Sequence, residues 1–395
     1  MDREDCNNSM RLESYDLQKF ARQLFELNGQ QILDSLKTSD YMTPTRVIAA
    51  GCGDSYCAAF ASEPAFRELV GIPMVGRPAV EISRCYDPKD FDNVLFYGIS
   101  SRGRTQRVIE AAMRVKALST SSKAVAIVNY LVDKSPLEKE CDLSLYVRMP
   151  KFECGQYTEH APCQRSYFST MFTMMLQAIK MGEVRGRYDS EQAKDYINAI
   201  IEYAESFDDD LLKPMDDRMW EIAKKWNEFR QFEVVGSGDD VPTTWFVAAK
   251  FVEAFGDIAT YETPENWMSS CRYAKNPEKI GTVVILDKDS ESFDYTMKVI
   301  DEMVKIGRPV IVFTDADAKL FPLQCEVFQE PSPRYRFIKP IMQYCPIGFL
   351  CGYIKEMRGV SFYRFGGECD DERGTMNDKV ADLYFEKAPA PEIIR

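Results

Sequence analysis

Two stretches, V-I-A-A-G-C-G-D-S at 47–55 and F-E-V-V-G-S-G-D-D at 232–240, decide the fold. Each is a short apolar run that ends on glycine, as a buried strand does where it turns into a helix. Gly51 and Gly236 stand 185 residues apart. The same offset carries N-V-L-F-Y-G-I-S (93–100) beside T-V-V-I-L-D (282–287), and A-V-A-I-V-N (124–129) onto P-V-I-V-F (309–313). One offset over three strands, with the G-x-G-D punctuation repeated, predicts an internal duplication. Strands alternating with helical stretches predict an α/β fold with parallel sheets and helices on both faces.

Helical periodicity extends outward from these strands. An amphipathic helix is expected over 16–37, a bridge of helices over 164–182, 190–208 and 215–228, and a last helix over 338–358. The expected division is a helical N-terminal extension (1–43), a first α/β domain (44–190), a helical bridge (191–230), a second α/β domain (231–365) and a tail (366–395).

Composition narrows the function. The chain has 395 residues, with 49 Lys and Arg against 62 Asp and Glu, a net charge of −13. An acidic surface repels polyanions, so nucleic acid is not an expected partner, whereas a local nest of amides still admits a small phosphorylated ligand. The twelve cysteines follow no zinc or disulfide spacing and read as reduced, mostly buried thiols. The N-terminus is polar and acidic, and no apolar run is long enough for a bilayer. A cytoplasmic protein, with no membrane partner, is expected. With one histidine, His160, most histidine metal sites and Ser-His-Asp schemes are excluded.

Chemistry concentrates in G-I-S-S-R-G-R-T-Q-R-V-I-E-A (98–111). A Gly- and Ser-rich junction from strand to helix aims amides and hydroxyls at one point, and the helix dipole favours an anion there. Ser100, Ser101 and Thr105 offer hydroxyls and Arg102 a charge. A simple Ser-capped helix start is the alternative. A second junction, G-C-G-D-S-Y (51–56), has Gly51 and Gly53 for close backbone approach, and Asp54 or Ser55 as a helix cap. Side by side at the carboxyl edge of one sheet, the two loops form a ligand crevice.

These two loops resemble those of the sugar isomerase (SIS) domain family, whose phosphate loop reads S-x-S-G-E-T, or G-V-S-x-x-G-K-T-x-x-V-I in deglycase-like members. The likeness extends over about residues 15–385. It implies two flavodoxin-like SIS domains and a homodimer. It also implies phosphate binding by Ser100, Ser101, Arg102 and Thr105, with further contacts from Gly53, Asp54 and Ser55. The family places its catalytic glutamate on the helix after the second G-x-G-D, here T-T-W-F-V-A-A-K-F-V-E-A-F-G (243–256). Its K-x-x-E pattern matches Lys250 and Glu253, and the alternative is a solvated i,i+3 ion pair. In relatives this glutamate moves a proton between neighbouring sugar carbons. The tail segment D-E-R-G-T-M-N-D-K-V-A-D-L-Y (371–384) resembles family endings that fold over the site, with Lys379 as the catalytic lysine and Arg373 as second choice.

The chain departs from the family at G-E-x-x-H-G-P. Here T-P-E-N-W-M-S-S (263–270) keeps Glu262 and Glu265, with Met268 or Ser269 in the place of histidine. His160, in a segment resembling the site loop E-x-G-x-A-S-T-K, is the candidate replacement, with an ordinary core or surface histidine as the alternative. In the second half L-D-K-D-S-E (286–291) replaces the phosphate loop, so one substrate site per chain is expected. The resemblance implies a phosphosugar isomerase, or a deglycase acting on a fructosamine 6-phosphate, with a phosphorylated amino sugar or glycated amino acid as substrate and no metal or organic cofactor. A non-catalytic sugar-phosphate sensor is the alternative. Because residue 2 is Asp, glutamine-dependent synthesis is not expected.

Overall fold

The computed structural model describes residues 2–129, 133–157 and 160–364. It holds two five-stranded sheets, parallel at every pairing. The first comprises β1 (Arg46–Gly51), β2 (Met74–Pro78), β3 (Val94–Ile99), β4 (Lys123–Asn129) and β5 (Leu143–Val147), in the order β2-β1-β3-β4-β5. The second comprises β6 (Gln231–Val235), β7 (Ile258–Glu262), β8 (Ile280–Leu286), β9 (Val310–Thr314) and β10 (Glu326–Gln329), and its order is the same strand for strand: β7-β6-β8-β9-β10. Register agrees closely. Arg46 pairs with Val94 in the first sheet, and Gln231 with Ile280 in the second.

The central strands β3 and β8 are buried along their whole length, which fits apolar runs covered on both faces. Edge strands β2, β5, β7 and β10 are shorter and partly exposed, and apolar patterning did not mark them. Gly51 closes β1 because a side chain there would come within 2.5 Å of the Ser55 backbone. That contact lets the Asp54–Ala61 helix leave the strand tightly.

The helices differ from expectation in their ends. The first begins earlier, at Ser9, where the Asn8 side chain accepts the Arg11 amide, and passes at Phe25–Gly29 into a π-turn. The bridge helices are Gln164–Val184, Ser190–Glu205 and Asp209–Trp226. The last starts six residues early, capped by Asp208, and carries Pro214 in its second turn. The expected helix over 338–358 is broken: a short 3₁₀ segment, Arg336–Ile341, precedes the Ile347–Arg358 helix. Pro346 stands between them as the cap of the second, and Pro340, inside the first, cannot donate a helical hydrogen bond.

One apolar core runs from Cys6 to Phe362 and draws on the N-terminal helix, both sheets and the bridge. At its centre Tyr167 stacks on Phe246 with ring centroids 3.9 Å apart, joining the bridge to the second half. Smaller clusters fill the outer face of each sheet. Every cysteine among the described residues is a free thiol. Only Cys6, Cys57, Cys345 and Cys351 are fully buried, so the expectation of mostly buried thiols is corrected. Among the described residues no helix is long and apolar enough to cross a membrane.

Candidate active site

Strands β1 and β3 are neighbours whose connections leave in opposite directions, so their carboxyl ends open a crevice. A cavity of about 500 Å³ lies there, lined by Asp54 and Ser55 of one loop and Ser100, Ser101, Arg102 and Thr105 of the other. Both loops proposed from sequence thus meet at one place.

The Ser100–Thr105 loop is held in a fixed shape. The Ser100 carbonyl accepts the Gly103 amide at 2.8 Å, and the Ser100 hydroxyl lies 3.0 Å from that of Thr105. Ser101 accepts a hydrogen bond from the Asn129 side chain at 2.7 Å. Gly103 has φ +59°, and a Cβ there would meet Ser135 Oγ at 2.1 Å, so only glycine fits. No side chain caps the Gln106–Leu118 helix that follows, which leaves its positive end directed at the cavity. The alternative of a Ser-capped helix start does not describe this junction. Arg102 and Arg104 are both exposed and both line the cavity.

Behind Asp54, the other half of the chain adds Lys250 and Glu253, which are not themselves among the cavity-lining residues. Lys250, on the Val241–Phe255 helix, is fully buried, and its Nζ lies 2.9 and 2.8 Å from the two Asp54 carboxylate oxygens. The same ammonium donates to Glu253 Oε2 at 2.5 Å. The alternative of a solvated ion pair is therefore overturned: two carboxylates, one from each half of the chain, share one ammonium. Asp54 caps no helix. Gly53, at φ +56°, holds the cap position with no side-chain bond, and the Asp54 carboxylate turns to Lys250. Burial, joined by the Asp54 charge, pushes the Glu253 carboxyl up to about 7 against the pull of Lys250. Burial works against the Lys250 ammonium, but Asp54 and Glu253 outweigh it and its pKa is raised.

His160 lines the cavity and stacks on Tyr363, with ring centroids 5.0 Å apart. Tyr363 is also on the cavity wall, at a φ of 54° that is rare for an aromatic residue. Burial and the Glu253 charge raise its pKa, so its hydroxyl stays protonated. Below them, buried Glu13 accepts the Gln164 amide at 2.5 Å and the Tyr157 hydroxyl, and Asp16 pairs with Arg165 at 2.8 Å. Tyr157 and Arg165 line the cavity, so the N-terminal helix braces its floor.

Not every expected residue arrives. Glu265 sits exposed in the first turn of the Pro264–Ser269 helix beyond edge strand β7 and is not among the cavity-lining residues. Gly53 is exposed beside the cavity rather than on its wall. Lys379 and Arg373 lie outside the described residues. Arg104, Tyr157 and Tyr363 were missed. Arg104 stood within the quoted loop, but nothing in the sequence marked either tyrosine.

At the matching edge of the second sheet the carboxylates of Asp287, Asp289 and Asp315 gather within 4.8 Å. Lys339 lies 3.0 Å from Asp287 and bonds Asp315, and Arg336 lies 3.0 Å from Asp287. An internal ammonium therefore takes the place that a cation would need, and the carboxylates repel phosphate.

Residues 42–179 match the SIS domain family model. Those residues are a SIS domain by that match. The chain is similar to the glutamine–fructose-6-phosphate aminotransferase (isomerizing) of Thermotoga maritima, at 23% identity over 80% of this chain and 49% of the relative. The enzyme of that name from Pyrococcus horikoshii is 28% identical over 53% of this chain and 32% of its own length. The chain thus spans half or less of the length of these relatives. Among solved structures, the C-terminal domain of glucosamine-fructose-6-phosphate aminotransferase from Francisella tularensis superposes with a TM-score of 0.73 at 17% identity, covering 91% of this chain and 99% of that one. Tagatose-6-phosphate ketose/aldose isomerase from Escherichia coli gives 0.63 at 13% identity, covering 89% and 92%. These likenesses establish the architecture of two parallel five-stranded sheets.

Proposed function

We propose that this protein is a phosphosugar isomerase or deglycase, with a phosphorylated amino sugar or fructosamine 6-phosphate as substrate. The reading is carried by the Asp54–Lys250–Glu253 cluster, whose Asp54 lines the same cavity as the Ser100–Thr105 loop. The phosphate is held by the amides and hydroxyls of Ser100, Ser101 and Thr105, with Arg102 adding a charge-assisted bond. Ser55 and His160 face the sugar. Glu253, ionised, takes the proton from the carbon next to the carbonyl. The released electron pair passes to the carbonyl oxygen or imine nitrogen, giving an enediol or enolamine, and the proton returns to the adjacent carbon. A carboxyl that titrates near 7 suits a group that must both accept and return a proton. Lys250 holds the carboxylate in place.

The relatives' names support this reading, since both the aminotransferase and the ketose/aldose isomerase handle hexose 6-phosphates by name. The test is turnover of glucosamine 6-phosphate and of fructosamine 6-phosphates by wild type and Glu253→Gln. Turnover that falls about 10²–10⁴-fold in the variant, with binding retained, is expected. Tight binding without wild-type turnover selects the sensor instead.

A further inference from the structure

The sequence placed Asp54 among the contacts to phosphate or sugar. The geometry points elsewhere: we infer that Asp54 is a positioning residue, which shares the Lys250 ammonium with Glu253 and so sets the proton affinity of the Glu253 carboxylate. The inference rests on the proposed role of Glu253 as the proton carrier.

Both Asp54 oxygens lie within hydrogen-bond reach of Lys250 Nζ, at 2.9 and 2.8 Å. Glu253 reaches the same ammonium with one oxygen. Lys250 has no exposure to water and lies 4.4 Å from the Phe246 ring centroid, so its charge is answered by these two carboxylates rather than by solvent. Two carboxylates on one ammonium leave an excess negative charge. That excess favours one proton on the pair. Asp54 is bound twice and Glu253 once, so the proton falls to Glu253.

The other groups facing Glu253 do not supply this effect. Lys250 shares its helix and lowers the carboxyl. Tyr363, from the Phe362–Arg364 segment, and Cys351, from the Ile347–Arg358 helix, both have raised pKa values and are neutral near pH 7. Cys57, packed below Asp54 and Lys250, is also neutral. His160 meets the cluster through its stack on Tyr363. Among the described residues, Asp54 is thus the one anion among the groups that shift Glu253.

The test titrates Glu253 without substrate, by carbon-13 NMR of side-chain-labelled glutamate, the signal being assigned by its loss in Glu253→Gln. In Asp54→Asn the midpoint is expected to fall by about one pH unit or more. Asp54→Glu, which keeps the charge, is expected to hold the wild-type midpoint. A folded Asp54→Asn with an unmoved midpoint overturns the inference. If that variant does not fold, Asp54→Ser removes the charge in a smaller side chain. The unmodified protein offers a third measurement, a scalar coupling across the hydrogen bond from Lys250 Nζ to the Asp54 carboxyl carbon, whose absence also overturns it. Turnover separates the two proposals. With an active wild type, Asp54→Asn should move the acid limb of the kcat/KM profile downward and leave KM for the phosphosugar within about twofold, which a lost sugar contact would not do. A wild type with no turnover but the expected midpoint shift defeats the proposed activity and leaves the positioning role standing.

Discussion

Glu253 is where acid–base behaviour and proposed chemistry meet. Its carboxyl is pushed up to about 7, and as a base it must be ionised. Activity should therefore rise with pH through about 7 and level off above it, read as the acid limb of kcat/KM against pH. Arg102 tests the loop that lines the cavity. It is exposed, so Arg102→Ala should leave the melting temperature in place. Binding of inorganic phosphate or a sugar phosphate, measured by calorimetry, should weaken by about 2–4 kcal/mol. The three-residue spacing of Lys250 and Glu253 was legible in the sequence because a helix sets such pairs side by side. Their tie to Asp54 was not, because that partner is 196 residues away and only the packing of one half on the other brings it close. Tyr363 left no trace at all: its place depends on a left-handed turn that no tyrosine signals.

Among the elements, the Ser100–Thr105 loop depends most on a single residue. Gly103 carries a positive φ and leaves no space for a methyl group against Ser135. Gly103→Ala should open the loop and destabilise the fold by about 1–3 kcal/mol, with phosphate affinity lost along with it, measured by urea unfolding and by phosphate titration. The neighbouring elements show why some were readable and others were not. Strands β1, β3, β4, β6, β8 and β9 are mostly buried, so they appear as predominantly apolar runs, though Glu233 interrupts β6 and Thr282 β8. Strand β7 is exposed or half-exposed at every residue, and a run such as I-A-T-Y-E then carries no contrast with a loop. Helix ends moved where capping decided them, as at Asn8 and Asp208, since a cap is a local contact that apolar periodicity does not register.

At the scale of the whole molecule, buried charge governs stability. Asp216 is fully buried and accepts bonds from Arg3, Arg11, Tyr15 and Tyr353, which ties the N-terminal helix to the bridge and to the last helix. Arg11→Ala should cost about 3 kcal/mol, because it leaves a buried carboxylate under-compensated. The pH dependence has a definite sign. Burial raises Asp240 to about 7 and lifts Glu13 and Glu330 above the usual carboxylate range. Their folded forms bind protons more tightly than the unfolded chain does, so stability falls as pH rises from about 4 through 7. Asp216 and Asp287 are lowered, and the stability they add is lost only below the ordinary aspartate value. The melting temperature should accordingly climb from pH 8 to about 5 and drop again below 4, as scanning calorimetry at several pH values would show.

Lys250 stands in one half of the chain and answers a carboxylate in the other. On the proposed roles, each half-gene, transcribed by itself, would encode a lone component: one the proposed cradle without Glu253, the other Glu253 with no cradle. A split made in the short stretch between the Ser190–Glu205 and Asp209–Trp226 helices would turn the protein into a two-part complementation reporter. Its signal would appear only when both fragments met in the same cell and Lys250 found Asp54 again.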